Sequence, residues 1–205
     1  MKNPWEEIPL SDYENHMKLD SVRQLQAMNE MMKGQFSAYP VSSVMILGIA
    51  GGNGLEHIPK DKFEKIYGVD INPSYLEEVV QRYPDLDGFL KCLHVDLTKE
   101  ADKLPGADMI IANLLVEYIG YECFQKAVRQ VNPKYVSCII QINMEDNWVS
   151  DSPYLHAFDG LNQVHHQMEE DEMERAMLEL DYHAVGTFEH MLPNGKKLVQ
   201  MDFER

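Results

Sequence analysis

The hydrophobic positions of this chain change period twice. From Asp20 to about Lys33, Val22, Leu25, Met28 and Met32 fall towards one face of a helix, with Asp20 placed to cap its start and Gly34 to stop it. Ahead of it the chain reads as irregular. Beyond it come continuous apolar runs: Val44–Gly48, "KIYGVDI" at 65–71, "FLKCLHV" at 89–95, "DMIIAN" ending at Asn113 and "YVSCIIQIN" ending at Asn143. Runs that do not alternate suit strands buried on both faces, as a parallel sheet requires. Helical stripes separate them. Pro73–Tyr83 carries Leu76, Val79, Val80 and Tyr83 on one side behind an Asn72 cap, and Tyr121–Val131 carries Phe124, Ala127, Val128 and Val131. Strand and helix in alternation define an α/β chain.

The last third reads differently. Residues 144–167 are polar and aromatic without a period, and 169–180 offers Met173, Ala176, Met177 and Leu180 at helical spacing. Two alternating segments, 183–191 and 197–203, are joined through "PNGK", where Asn194-Gly195 predicts a type I′ hairpin. The expected fold is therefore α/β: a seven-stranded mostly parallel sheet with helices on both faces and a C-terminal antiparallel β-hairpin. Residues 1–40 are expected to form an N-terminal helical lid on a domain spanning 41–205, because "DYENHM" has no place in the sheet.

Composition narrows the function. With 205 residues, 44% of them hydrophobic, one domain can bury a sizeable core. A net charge of −16 without a basic cluster repels phosphate backbones, so no nucleic-acid partner is expected. No stretch approaches the ~18 apolar residues of a membrane span, and the N-terminus lacks the apolar core of a secretory signal, so no membrane partner and a cytoplasmic location are expected. Cys92, Cys123 and Cys138 form no CxxC pair and are expected to be reduced.

The chemistry-bearing stretch is "ILGIAGGNG", Ile46–Gly54, with four glycines in nine positions at the end of the first strand. Glycine there lets the main chain turn with φ > 0 or lie close against a ligand. In an open α/β sheet, ligands sit beyond the carboxyl ends of the strands where strand order reverses. Asp70 ends the second strand, where a carboxylate can accept from both hydroxyls of a ribose. Asp96 follows the third and can accept from an adenine amino group, with Leu97 offering a backbone N–H. Asn113 ends the fourth. Each has a plainer role as a turn or capping residue; their order and spacing favour an adenosine-containing ligand.

These residues resemble the class I S-adenosylmethionine-dependent methyltransferases over roughly residues 40–205. "VMILGIAGG" is similar to that family's glycine-rich first motif, and Asp70, Asp96 and the C-terminal hairpin take the places of its other landmarks. Ile46 stands where the family usually has an acid, and Ala50 replaces the middle glycine. The resemblance implies S-adenosyl-L-methionine as cofactor, S-adenosyl-L-homocysteine as product, and in-line methyl transfer to O or N of a small-molecule acceptor. The cofactor site is then expected at Gly48, Ile49, Ala50, Gly52, Asp70, Ile71, Asp96, Leu97 and Asn113. Acceptor contacts are expected from Tyr13, His16, Glu117, Tyr118 and Tyr154, with Met17, Trp148, His156 and Phe158 nearby. No catalytic residue is assigned, since the sulfonium is already activated. No metal is expected, because the adjacent His165 and His166 are poorly spaced to share one ion. Two competing readings are a non-catalytic module that keeps the cofactor pocket, suggested by Ile46, and a nicotinamide dehydrogenase, against which the failed GxGxxG pattern counts. The oligomeric state is not legible.

Overall fold

The computed structural model describes residues 2–59, 61–143, 149 and 152–205. Seven strands form one sheet in the order β3, β2, β1, β4, β5, β7, β6. They are β1 (Ser43–Leu47), β2 (Lys65–Asp70), β3 (Leu90–His94), β4 (Met109–Asn113), β5 (Tyr135–Ile142), β6 (His183–Met191) and β7 (Lys197–Glu204). The first five run parallel, and β7 lies antiparallel between β5 and the edge strand β6. The helices are α1 (Leu10–Met17), α2 (Gln24–Ala38), α3 (Pro73–Arg82), α4 (Val116–Val131) and α5 (Glu170–Leu178). Among the described residues no helix is long and apolar enough to cross a membrane.

The apolar runs are continuous because the sheet is covered on both faces. In β1, Met45 and Leu47 join a cluster with Phe124, Ala127, Val128 and Val131 of α4 and Met173 and Met177 of α5. Their neighbours Val44 and Ile46 face the opposite way, packing with Met32 and Phe36 of α2 and Leu76 and Val79 of α3. Alternate residues of one strand thus serve two cores.

Several local expectations are corrected. The first long helix does not start at Asp20: Arg23 takes a left-handed conformation at φ 52°, and α2 begins at Gln24. Nor does Gly34 stop it. Gly34 is exposed with open space around it, and the turn beyond buries Gln35 and Phe36, each 0% exposed, which outweighs the roughly 1 kcal/mol that an interior glycine costs. The irregular start contains α1, and α4 begins at Val116 rather than Tyr121, with a kink at Gly120 (φ 73°, ψ 163°). In the hairpin only Gly195 has φ > 0; its N–H donates to Leu192 C=O at 3.0 Å, so the connection is a longer turn closed by a left-handed glycine, not type I′. Residues 155–163, without a period in sequence, form a 3₁₀ segment that buries Phe158 and Leu161.

Polar side chains fasten α2 to the sheet. Gln35 Nε2 donates to Asn113 Oδ1 (3.0 Å) and Ser137 Oγ (2.8 Å), while Asn113 Nδ2 donates back to Gln35 Oε1 (2.8 Å). Ser137 in turn donates to Asp202 of β7, which also accepts from Tyr39 at 3.0 Å. Removing one member leaves the others buried and unsatisfied. Gln35→Ala is expected to destabilise the fold by about 1–3 kcal/mol, read as a lower urea midpoint with unchanged slope.

Candidate functional site

Strand order reverses between β1 and β4, and the glycine turn leaves the sheet at that point. Val69 C=O accepts from the N–H groups of Gly48 (2.8 Å) and Ile49 (3.0 Å), which pins the turn to β2. Gly48 and Gly52 sit at φ 69° and 81°, and Ala50 sits at φ 45°, where an L-residue carries about 1–2 kcal/mol of strain. Asp70 completes the turn: its Oδ2 accepts from Ala50 N–H and its Oδ1 from Asn72 N–H, both at 2.9 Å. Burial pushes its carboxyl up to about 6, against the pull of these backbone hydrogen bonds.

A cleft opens beyond these strand ends. Gly48, Ala50, Asp70, Ile71, Asp96, Leu97 and Asn113 line it, so the structure brings together seven of the nine residues expected at a cofactor. The other two turn away. Ile49 is 5% exposed with its side chain in the core against Gly68, and Gly52 packs on Tyr83 and Leu55. Asp96 lines the cleft while holding its own loop, accepting from Thr98 N–H at 3.0 Å and Lys99 Nζ at 2.6 Å. Desolvation tends to raise its carboxyl, but the hydrogen bonds from Lys99 and Thr98 win and the net shift is downward. The Asn113 amide is engaged by Gln35 through both its oxygen and its nitrogen. Ile46, in the place of the family's acid, is 4% exposed and borders a small cavity behind the turn with Met28 and Met32.

The N-terminal segment supplies the cleft's outer wall. Trp5 C=O accepts from Asn72 Nδ2 (2.9 Å), Ile8 C=O accepts from Tyr75 OH (2.8 Å), and Glu14 pairs with the Arg82 guanidinium. These bonds dock residues 3–17 on α3. Trp5 packs edge-on against Tyr118 and Tyr13, with ring centroids 4.8 and 5.7 Å apart.

A second pocket lies behind that aromatic wall. Trp5, Tyr13, Leu114 and Tyr118 border both spaces, and His16, Met17, Glu117 and Phe158 border the second alone. Of the residues expected near an acceptor, Tyr13, His16, Glu117 and Tyr118 are therefore gathered. Tyr154 is not: it packs in a small cluster with Ile8 and Leu161 and lines neither space. His156 is 94% exposed beside Asp159, and Trp148 lies outside the described residues. Sequence reasoning missed Trp5 and Tyr75 in the cleft, and Gln24, Gln141, His165 and Lys196 in the pocket. A lysine directly after an Asn-Gly turn reads as a surface charge, yet Lys196 is 8% exposed, and burial pulls its ammonium down to about 8.

Solved structures of the same fold include the N-methyltransferase NodS from Bradyrhizobium japonicum WM9 with S-adenosyl-L-homocysteine bound, at TM-score 0.68 and 12% identity, covering 100% of this chain and 99% of that one. A geranyl diphosphate methyltransferase in complex with SAM is similar at TM-score 0.65 and 11% identity, over 89% and 86% of the two chains. The cyclopropane synthase MmaA2 from Mycobacterium tuberculosis is similar at TM-score 0.65 and 9% identity, over 93% and 88%. The fold of this chain is that of the class I S-adenosylmethionine-dependent methyltransferases. No protein-family model matches the sequence, and no curated protein matches it.

Glu117 is the most perturbed carboxyl of the pocket. It is 4% exposed, its Oε2 has no hydrogen-bond partner among the described residues, and desolvation raises its carboxyl to about 8. A group that binds its proton more tightly when folded contributes stability that is complete below its ordinary value of 4.5 and lost as pH rises to about 8. Glu117→Gln removes that dependence. The variant is expected to melt close to the wild type at pH 5 and above it at pH 9, measured by calorimetric melting across that range.

Proposed function

We propose that the chain binds S-adenosyl-L-methionine in the cleft and directs its methyl group to a small molecule held in the adjoining pocket, releasing S-adenosyl-L-homocysteine. The observation that carries this reading is the shared border: Trp5, Tyr13, Leu114 and Tyr118 line both spaces, so a cofactor in one and an acceptor in the other would lie side by side. The residues present fit the nucleoside. Asp70 keeps a lone pair on each oxygen beyond the backbone bonds it accepts, which suits two ribose hydroxyls, and Asp96 with Leu97 suits an adenine edge. Gly48 lies where an added Cβ would stand 3.1 Å from Leu115, so the wall there is bare backbone. The cofactor supplies an activated methyl group; the protein's part is alignment and the exclusion of water.

Residues 1–40 then act as cover and wall for both spaces, with α2 anchored in the core and residues 3–17 held on α3. A small acceptor agrees with the pocket's aromatic enclosure and with the charge of −16, which disfavours nucleic acid. One observation favours a second reading. Ile46 leaves the methionine ammonium without the acid the resemblance leads one to expect, which suits a module that binds without turning over. Appearance of S-adenosyl-L-homocysteine when the protein is given cofactor and a small-molecule extract separates the two.

Asp70 must be ionised to accept from both hydroxyls. Asp70→Ala is expected to weaken cofactor binding by about 1–3 kcal/mol in calorimetry at pH 7.5. Because the folded carboxyl titrates near 6, wild-type affinity is expected to fall as pH drops through that value, by about tenfold at one unit below it, with no such fall in Asp70→Asn. Affinity that ignores both the substitutions and pH would remove the carboxylate from the site.

A further inference from the structure

The geometry points to a small amine with an apolar body as the methyl acceptor, its nitrogen meeting Glu117, which takes the proton that the nitrogen must lose. This deepens the preceding reading and rests on it.

The pocket is otherwise polar-satisfied where its partners are defined. Gln24 Nε2 donates to Gln141 Oε1 at 2.9 Å, Gln141 Nε2 donates to Asn143 Oδ1 at 2.7 Å, and His16 Nδ1 lies 2.8 Å from Ser152 Oγ. Glu117 Oε2 is the exception: a buried acceptor without a donor among the described residues, in the wall of a cavity bordered by Met17, Phe158 and Leu161. Such an atom is costly to keep unless a ligand completes it. The fold delivers it there deliberately. In an unbroken helix the Glu117 C=O would accept from the N–H of Tyr121, but the Gly120 kink breaks that register, and His166 N–H donates to it instead at 2.7 Å.

An amine fits better than a hydroxyl on three grounds. An ammonium brings the positive charge that a buried carboxylate lacks, and Trp5, Tyr13 and Tyr118 line the same pocket with aromatic rings, a side-chain type that attracts cations. Its ordinary pKa of about 10.4 lies within reach of a carboxyl raised by burial, whereas an alkyl hydroxyl ionises near that of water, about 15.7. A phenol could give its proton to the same carboxylate, but it brings no positive charge to the buried group before it does so. In the step, Glu117 as carboxylate takes a proton from the ammonium, and the electron pair stays on nitrogen. That pair forms the N–C bond to the methyl carbon as the C–S bond breaks, its electrons passing to a sulfur that becomes a neutral thioether; the positive charge ends on nitrogen. Titratable groups facing Glu117 are Tyr13 of α1, Tyr118 and Tyr121 of α4 and Cys138 of β5, with His16, His165 and Lys196 elsewhere in the pocket wall.

The test uses the full chain saturated with S-adenosyl-L-homocysteine and titrates benzylamine and isobutylamine against benzyl alcohol, isobutanol and para-cresol by calorimetry at pH 7. An amine is expected to bind at least about tenfold tighter than its matched alcohol or para-cresol, with proton release visible as a buffer-dependent heat as Glu117 ionises. In Glu117→Gln the preference and the proton release are expected to vanish while S-adenosyl-L-homocysteine still binds, which marks the variant as folded. Alcohols or para-cresol binding as well as the amines, no amine binding, or a preference that survives the substitution overturns the proposal. Failure of S-adenosyl-L-homocysteine to bind the wild type strikes instead at the cofactor reading beneath it.

Discussion

Because Asp70 accepts from Ala50 N–H through one oxygen and from Asn72 N–H through the other, a single buried carboxylate holds the end of β2 against the turn that leaves β1. Backbone alone does not fix that turn: Gly48 and Ile49 both lean on Val69 C=O, and beyond them the chain passes through left-handed conformations at Ala50, Gly52 and Gly54. The carboxylate supplies the missing restraint and sets the strained Ala50 facing the cleft. Its burial raises its own pKa, so the turn is held most firmly by a group that is expensive to ionise. Strain at Ala50 and desolvation at Asp70 thus meet at one corner, as they do where a fold gives up stability to keep a ligand site shaped.

The opposite wall depends on a different kind of restraint. Gln35, Asn113, Ser137, Asp202 and Tyr39 form a chain of hydrogen bonds from α2 through β4 and β5 to β7. It crosses the face of the sheet where Val44 and Ile46 point, and it makes α2 part of the core rather than a cover laid upon it. Residues 3–17, by contrast, are held on α3 by backbone carbonyls of Trp5 and Ile8, in half-buried and buried bonds, and by the Glu14–Arg82 pair nearer solvent. Exposed ion pairs contribute little to stability, so most of this hold comes from the two carbonyl bonds and from the burial of Ile8, His16 and Met17.

Much of the sheet was legible because burial on two faces leaves an unmistakable trace: Val44–Leu47, Met109–Ala112 and Tyr135–Gln141 are all buried or nearly so. The ends of α2 and the hairpin turn were not. Arg23 takes a conformation that arginine does not advertise, and Gly34 sits in the middle of a helix whose final turn is secured by Gln35 and Phe36 from the tertiary side. At the cleft, spacing named the turn but not its facing residues. Alternating left-handed positions throw Ala50 outward and Ile49 into the core, a choice that φ values make and residue types do not. The second pocket was half legible. Glu117 and Tyr118 follow β4 in sequence, whereas Gln24, Gln141, His165 and Lys196 come from four separated segments and meet only through the order in which β5, β7 and β6 are laid down.

Gly120 ties these points together. A glycine inside a helical stripe invites the reading of a tolerated defect costing about 1 kcal/mol. Here it lies at φ 73°, ψ 163°, values no other residue type accepts easily, and it divides α4 into a long helix that packs on the sheet and a single leading turn that does not follow the same axis. Phe124, Ala127 and Val128 can therefore bury themselves completely while Glu117, only a few residues earlier, borders the second pocket. A straight helix would have to choose between packing and pocket, since the face that meets the sheet is set by its period. The kink separates the two, at the cost of the helical bond that His166 restores from another segment. His166 lies beside His165, itself in the pocket wall with Phe158 and Leu161, so the segment without sequence period meets the same cavity while its apolar side chains pack on Ile8.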